Sequence, residues 1–171
     1  MNQQLINMKY ILNTALFVSA FAMINACAPE ENTEAVGQAG WLKGTPTEKF
    51  EEITHQLQGF SRTMTEVGYR YQELYWAGKD MNWEYADYQI EHIYEALEQG
   101  YIRRPEHEAS GKNFVENVLP AMEKAIASKD TAQFIRTFDI VTVNCNACHA
   151  MEDVPFLTVK TPTERQSPIR P

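Results

Sequence analysis

Residues 45–77, TPTEKFEEITHQLQGFSRTMTEVGYRYQELYWA, indicate the fold class. Thr45, Pro46 and Glu48 form a helix-start pattern: a cap, a proline at the first helical position, and an acid three residues after the cap. Apolar residues then recur every three or four positions, which predicts one apolar face along a helix of about eight turns. The members of this face are Phe50, Ile53, Leu57, Phe60, Met64, Val67, Tyr71 and Leu74. Gly59 and Gly68 each cost about 1 kcal/mol relative to alanine in a helix, so a bend or break near Gly59 fits the pattern.

Three more helical segments follow this stretch. Asn82 is placed to cap the second, which ends near Gly100, and residues 103–111 are expected to form a loop. The third runs from about 112 to 128, but Pro120 prevents one regular helix, so a short piece to Val118 and a helix from Pro120 are expected. The residues expected to face inward from the second and third segments are Ala86, Ile90, Ile93, Leu97, Met122, Ala125 and Ile126.

Asp130, with Gln133 three residues later, is placed to cap the fourth helix. Its predicted inward face is Ile135, Phe138, Thr142 and Cys145. Short connections between helices of similar length favour antiparallel neighbours. The sequence therefore predicts an all-α, antiparallel, up-down-up-down four-helix bundle.

Length and composition limit the class of protein. The 171 residues are 44% apolar and include three cysteines, which suits one ordinary domain and excludes a disordered or disulfide-dense chain. The net charge of −8 argues against a nucleic-acid binder, which needs a basic face to replace phosphate counterions.

The N-terminus has the pattern of an export signal. Lys9 precedes an apolar run over 15–24, which is short for a membrane span. The following Ile24-Asn25-Ala26-Cys27 resembles the lipobox of bacterial lipoproteins, which are cleaved before the cysteine that carries the lipid. An ordinary signal peptide and an uncleaved anchor are the alternatives. The expected organisation is a signal peptide over 1–26, a flexible tether over 27–44 anchored through a lipid on Cys27, a domain over 45–160 and a loose tail over 161–171.

Cys145-Asn146-Ala147-Cys148-His149 matches the attachment signature of c-type haem. Two thiols three residues apart can bond the two vinyl groups at one porphyrin edge, and the histidine can then ligate the iron. A redox dithiol, a structural zinc and a local disulfide are the alternatives. They are less favoured because the motif ends a helix, few other ligands remain, and a bridge between cysteines this close would be strained.

A four-helix bundle with CxxCH at the end of its last helix resembles the class II cytochromes c, the cytochrome c-prime type. Two stretches, 71–83 (YQELYWAGKDMNW) and the segment from Cys145 to Leu157, also resemble a group of uncharacterised bacterial exported c-type cytochromes. The resemblance implies the bundle fold, one covalent haem c and export. Because cytochromes of this type are often dimers, it also allows a homodimer. The chain continues 22 residues beyond the motif, and Val154, Pro155 and Phe156 in this extension are candidates for covering the haem edge.

The sixth iron ligand decides between two functions. An antiparallel last helix of about 28 Å places the haem opposite roughly 58–67, where Met64 lies on the inward face. A Met64 ligand would give a six-coordinate iron suited to electron transfer. If Met64 only fills the core, the sixth position is open or blocked by Phe60, and the site would bind NO or CO. His55 is a weaker alternative ligand, and His92 and His107 are expected on the surface or in loops.

The expected function is that of a mono-haem electron-transfer cytochrome outside the cytoplasm, facing the periplasm or the cell surface. Redox proteins and a membrane are the expected partners. A gas-binding haem protein is the alternative. Enzymatic activity is not expected, since a peroxidase would need a distal histidine and arginine, and Arg62 lies off the inward face.

Overall fold

The computed structural model describes residues 33–167, and its regular elements are helical apart from one isolated antiparallel bridge between Val36 and Leu42. The chain divides into two units between Leu57 and Gln58. The helices are α1 (Pro46–Gln56), α2 (Phe60–Lys79), α3 (Trp83–Arg103), α4 (Glu108–Asn113), α5 (Leu119–Ala127) and α6 (Thr131–Met151), with 3-10 turns at Gln38–Gly40 and Pro105–His107 and a π-helical turn at Phe114–Val118. The prediction of an all-α helical bundle is confirmed.

The first unit contains α1, and its start follows the sequence pattern. Thr45 Oγ1 accepts from the Glu48 amide at 3.3 Å, and the Glu48 carboxylate accepts from the Thr45 amide at 2.7 Å. These two bonds form the predicted capping box. The apolar face of α1 is not buried, however, because Phe50, Ile53 and Leu57 are exposed.

The predicted eight-turn helix is interrupted, which corrects its length. Gln58 has a left-handed backbone with φ of 61°, and Gly59 is the N-cap of α2. The break near Gly59 is therefore confirmed. The apolar pattern holds beyond it, with Val67, Tyr71 and Leu74 buried and earlier members of the face partly buried against the core.

Helices α2 and α3 pack closely along their length. The Asn82 side chain caps α3 by accepting from the Tyr85 amide at 3.2 Å, as predicted. A Cβ at Gly100 would lie 2.8 Å from the Thr63 side chain, so glycine permits the close approach of the two helices there. Arg103 Nη2 donates to Thr63 Oγ1 at 3.2 Å beside this contact. The predicted inward residues Ala86, Ile90, Ile93 and Leu97 are all buried.

The prediction of a loop over 103–111 is wrong. Pro105 begins a 3-10 turn and α4 follows it directly. Gly111, which suggested a loop, is instead required by the packing of Tyr101, because a Cβ at this position would collide with the Tyr101 hydroxyl. Pro120 is accommodated because the π-helical turn before it widens the backbone where the proline ring would otherwise clash. Residues 108–127 are therefore one continuous but irregular helical segment.

Helix α6 begins as predicted, but the face that it buries differs from the predicted one. Asp130 Oδ1 accepts from the Ala132 and Gln133 amides at 2.8 and 2.9 Å, and these bonds lower the pKa of its carboxyl. The predicted inward face is corrected by about one residue, because Ile135 and Thr142 are only partly buried. The buried residues of α6 are Phe134, Thr137, Phe138 and Val141.

The chain after α6 has no regular secondary structure through residue 167. The tail predicted to be loose over 161–171 is nevertheless tied to the bundle, since Arg165 pairs with Asp80 at 2.6 Å and its guanidinium lies 4.9 Å from the centre of the Trp76 ring. No helix in the described range is long and apolar enough to cross a bilayer. The predicted signal peptide over 1–26 and the predicted lipidation site Cys27 lie outside the described residues.

Gly78 is required where α2 meets α6. A Cβ there would lie 2.2 Å from the ring of Phe134, which is fully buried. We expect Gly78→Ala to lower the free energy of unfolding by about 1–3 kcal/mol, measured by urea denaturation. The control is Gly68→Ala in the same helix, where nothing lies within 4 Å of the added Cβ and the change should leave the free energy of unfolding equal or raise it by up to about 1 kcal/mol. Equal effects of the two substitutions would contradict this packing.

Candidate functional site

The last turns of α6 place both cysteines and the histidine of the CxxCH motif on one cavity. Cys145, Cys148 and His149 line an apolar space of about 120 Å³ within the second unit. Both thiols are free. The spacing of three and four residues keeps the three side chains on one side of the helix.

Helix α2 forms the wall that carries the other predicted site residues. Phe60, Met64, Val67 and Tyr71 line the cavity, so the residues predicted to bind the cofactor or the metal in this domain all meet there. Tyr71 also links the two helices, because its hydroxyl and Thr142 Oγ1 are 2.6 Å apart. The further lining residues were not predicted from the sequence to belong to the site. They are Gly68, Leu97, Tyr101, Gly111, Phe114 and Val159.

Gly68 leaves the cavity wall open at the middle of α2. A Cβ at this position would have no atom within 4 Å. Glycine within a helix costs about 1 kcal/mol relative to alanine, and no packing contact at Gly68 requires it. The missing side chain leaves open space beside the helix backbone where it borders the cavity. An unfavourable glycine within a predicted helix was therefore the sequence signal that could have identified Gly68 as a site residue.

The two thiols lie in surroundings that keep them protonated. Burial raises the pKa of Cys145 from about 9 to about 12 and also raises that of Cys148. The thiols lie at the C-terminal end of α6, where the helix dipole does not favour a thiolate. Reactive dithiols have lowered pKa values, so these surroundings disfavour a redox pair.

His149 is held in one tautomer by the chain that follows α6. Its Nδ1 is hydrogen-bonded to the carbonyl oxygen of Leu157. A carbonyl can only accept, so in the neutral imidazole Nδ1 carries the proton and Nε2 keeps a free lone pair. A histidine that ligates a metal through Nε2 is commonly oriented by this kind of bond.

A polar cluster adjoins Cys148 at the rim of the cavity. Glu152 Oε2 is 2.6 Å from His107 Nδ1, the other carboxylate oxygen of Glu152 accepts from Ser110 Oγ, and Cys148 Sγ is 3.7 Å from Ser110 Oγ. The Ser110 bond is the largest cause of the lowered pKa of Glu152, with His107 contributing. The His107 ring also stacks on Phe60, with centroids 4.4 Å apart. His107 therefore lies nearer the cavity than its sequence position indicated.

The remaining candidate side chains are not among the lining residues of the cavity. His55 is exposed on α1, and His92 on α3 bonds the Tyr88 carbonyl through Nδ1 at 2.9 Å. Arg62 lines a separate polar groove with Arg103. Of the other methionines in the described range, Met122 is buried in the core, whereas Met81 and Met151 are exposed.

Among residues 33–167, no group of three or more histidine, cysteine, aspartate or glutamate side chains could hold a metal ion. The additional protein ligands that structural zinc would need beside the motif are therefore not found in that range. The chain has no match among protein-family models, curated proteins or solved structures.

The burial of Cys145 predicts slow alkylation in the folded chain before any group is attached to it. At pH 8 we expect iodoacetamide to modify Cys145 roughly 30- to 100-fold more slowly than in urea, because the raised pKa leaves little thiolate. Peptide mass spectrometry distinguishes Cys145 from Cys148, which should be slowed less. The Cys145 rate should keep rising above pH 9, and a plateau there would contradict the raised pKa.

Proposed function

We propose that the protein is a mono-haem c-type cytochrome that transfers single electrons outside the cytoplasm. Cys145 and Cys148 would bond the porphyrin edge, and His149 would ligate the iron through Nε2. The observation that carries the proposal is one apolar cavity bordered by two free thiols and by an imidazole whose Nδ1 is already engaged. Haem, when bound, supplies an iron that alternates between ferric and ferrous states.

The residues of the cavity fit a haem group. Its lining is mainly aromatic and aliphatic, which suits a porphyrin face, and Gly68 leaves room beside α2. Both thiols are unpaired and hence available for thioether bonds. The fixed tautomer of His149 presents the correct nitrogen for an axial bond.

We also propose the antiparallel up-down-up-down arrangement, with the haem near the end of α6. Contacts between α2 and α6 support it because their order is reversed along the two helices. Gly78 near the end of α2 meets Phe134 near the start of α6, and Tyr71 lies 4.6 Å from Phe138, ring centre to ring centre. Met64, earlier in α2, shares the cavity with Cys148.

Electron transfer is favoured over catalysis by the composition of the cavity. Its lining contains Met64 as a candidate sixth ligand and no arginine, and His149 is the one histidine among the lining residues within the described part of the chain. A peroxidase would need a distal acid–base group in that space. We therefore propose redox partner proteins and no enzymatic turnover. Cleavage before Cys27 and lipidation there would hold the protein at a bacterial membrane.

Gas binding is the second candidate function. The observation that favours it is the apolar wall around Met64, where Phe60 and Val67 also line the cavity. If Met64 only packs, this wall offers no other strong ligand and a small diatomic molecule could bind the sixth position.

Absorption spectra of the matured protein, with and without CO, distinguish the two functions. Electron transfer through Met64 ligation predicts a low-spin spectrum that CO does not alter, and Met64→Ala should convert it to a high-spin, CO-sensitive form. The matched control is Met81→Ala, because Met81 is exposed and outside the cavity. A native high-spin, CO-sensitive spectrum would instead support gas binding, and the absence of covalent haem would overturn both functions.

A further inference from the structure

Asn146, the first variable residue of the CxxCH motif, bonds to a distant part of the chain. Its Nδ2 donates to the Val159 carbonyl at 2.9 Å, and its Oδ1 accepts from the Val159 amide at 2.8 Å. Nδ2 also donates to the Thr142 carbonyl at 3.0 Å. The side-chain amide therefore pairs with both backbone groups of Val159, as a neighbouring β-strand would.

These bonds fix the segment 154–159, which we call the strap. Its other attachments to α6 are the Val154 amide, which donates to the His149 carbonyl at 2.9 Å, and the Leu157 carbonyl, which accepts from His149 Nδ1. Apolar burial does little to hold its middle, because Phe156 and Leu157 are 76% and 52% exposed. Asn146 thus supplies the hydrogen bonds that close the strap after Leu157.

The asparagine amide supplies both the donor and the acceptor that pair with the backbone of Val159. Aspartate would lose the two donated bonds and place a carboxylate against the Thr142 and Val159 carbonyls. Alanine would lose all three bonds. Either change should release Val159 from the edge of the cavity and loosen the Leu157 carbonyl that orients His149.

We propose that Asn146 is a positioning residue that sets the properties of the iron through the strap, an inference that rests on the proposed haem ligation by His149. A carbonyl held at Nδ1 increases the basicity of the imidazole, and a more basic axial ligand stabilises ferric over ferrous iron. Asn146 acts on His149 only by holding Leu157 in place. It touches neither the imidazole nor the iron.

The test compares Asn146→Ala and Asn146→Asp with Asn144→Ala. Asn144 is a matched control because its Nδ2 donates to the Ile140 carbonyl at 2.9 Å in the same i−4 pattern and it has no bond to the strap. Its other bond, accepted from Asn113 Nδ2 at 3.0 Å, joins α6 to α4. The control therefore loses similar bonds on the same helix without affecting residues 154–159.

Two measurements separate this proposal from the proposed function. In the chain without haem, hydrogen exchange at the Val159 amide should accelerate about tenfold or more in Asn146→Ala and stay unchanged in the control. The acceleration should be smaller in Asn146→Asp, whose carboxylate can still accept from this amide. In the haem-loaded protein, both Asn146 variants should raise the reduction potential, which the control should not do. In a Met64→Ala background, where the ferrous iron should lack a sixth protein ligand, both variants should also lower the iron–histidine stretching frequency.

Unchanged exchange at Val159 would overturn the hydrogen-bonded clamp itself. Accelerated exchange with an unaltered potential and stretching frequency would overturn the effect of Asn146 on His149. A protein that carries no covalent haem would refute the proposed function, and the exchange result would still decide whether Asn146 holds the strap.

Discussion

The packing of α6 against α2 is the constraint on which the rest of the site depends. Phe138 packs against the ring of Tyr71, and the Tyr71 hydroxyl lies 2.6 Å from Thr142 Oγ1. One turn of an α-helix advances 5.4 Å, so a slip of one turn would move both cysteines away from Met64. Buried aromatic side chains resist such a slip because interiors are close-packed. Core packing therefore sets which residues face the motif.

The surroundings of the motif separate the roles of its two ends. The thiol end lies in an apolar space that keeps both cysteines protonated. At the histidine end, the Leu157 carbonyl of the following segment bonds the imidazole at Nδ1. In a haem-loaded protein, Cys145 and Cys148 would hold the porphyrin from the apolar part of the site, and the strap would orient His149 toward the iron.

Local signals in the sequence predicted what local physics determines. The capping box at Thr45, the Asn82 cap and the Asp130 cap are all present, because each depends on residues within three positions of the cap. The break near Gly59 and the meeting of Met64 with the motif also followed from spacing. The arrangement of thiols and imidazole could be predicted because CxxCH fixes it within one helical turn.

Features that depend on tertiary contacts were not predictable. Gly111 reads as a loop residue until Tyr101 packs on it, and the apolar face of α6 is offset because aromatic packing favours Phe134. The apolar residues of the strap did not indicate its attachment, since Asn146 holds it through backbone groups that any sequence would offer. The cavity residues outside α2 and α6 were missed for the same reason: they come from segments distant in the chain.

The central claim is that Cys145 and Cys148 carry one haem through two thioether bonds. Peptide mass spectrometry of protein matured in a host with c-type haem attachment tests it most directly. The claim predicts that the peptide containing residues 145–149 gains the mass of one haem, and that replacing both cysteines by alanine removes it. A peptide of unmodified mass from the matured protein would contradict the account.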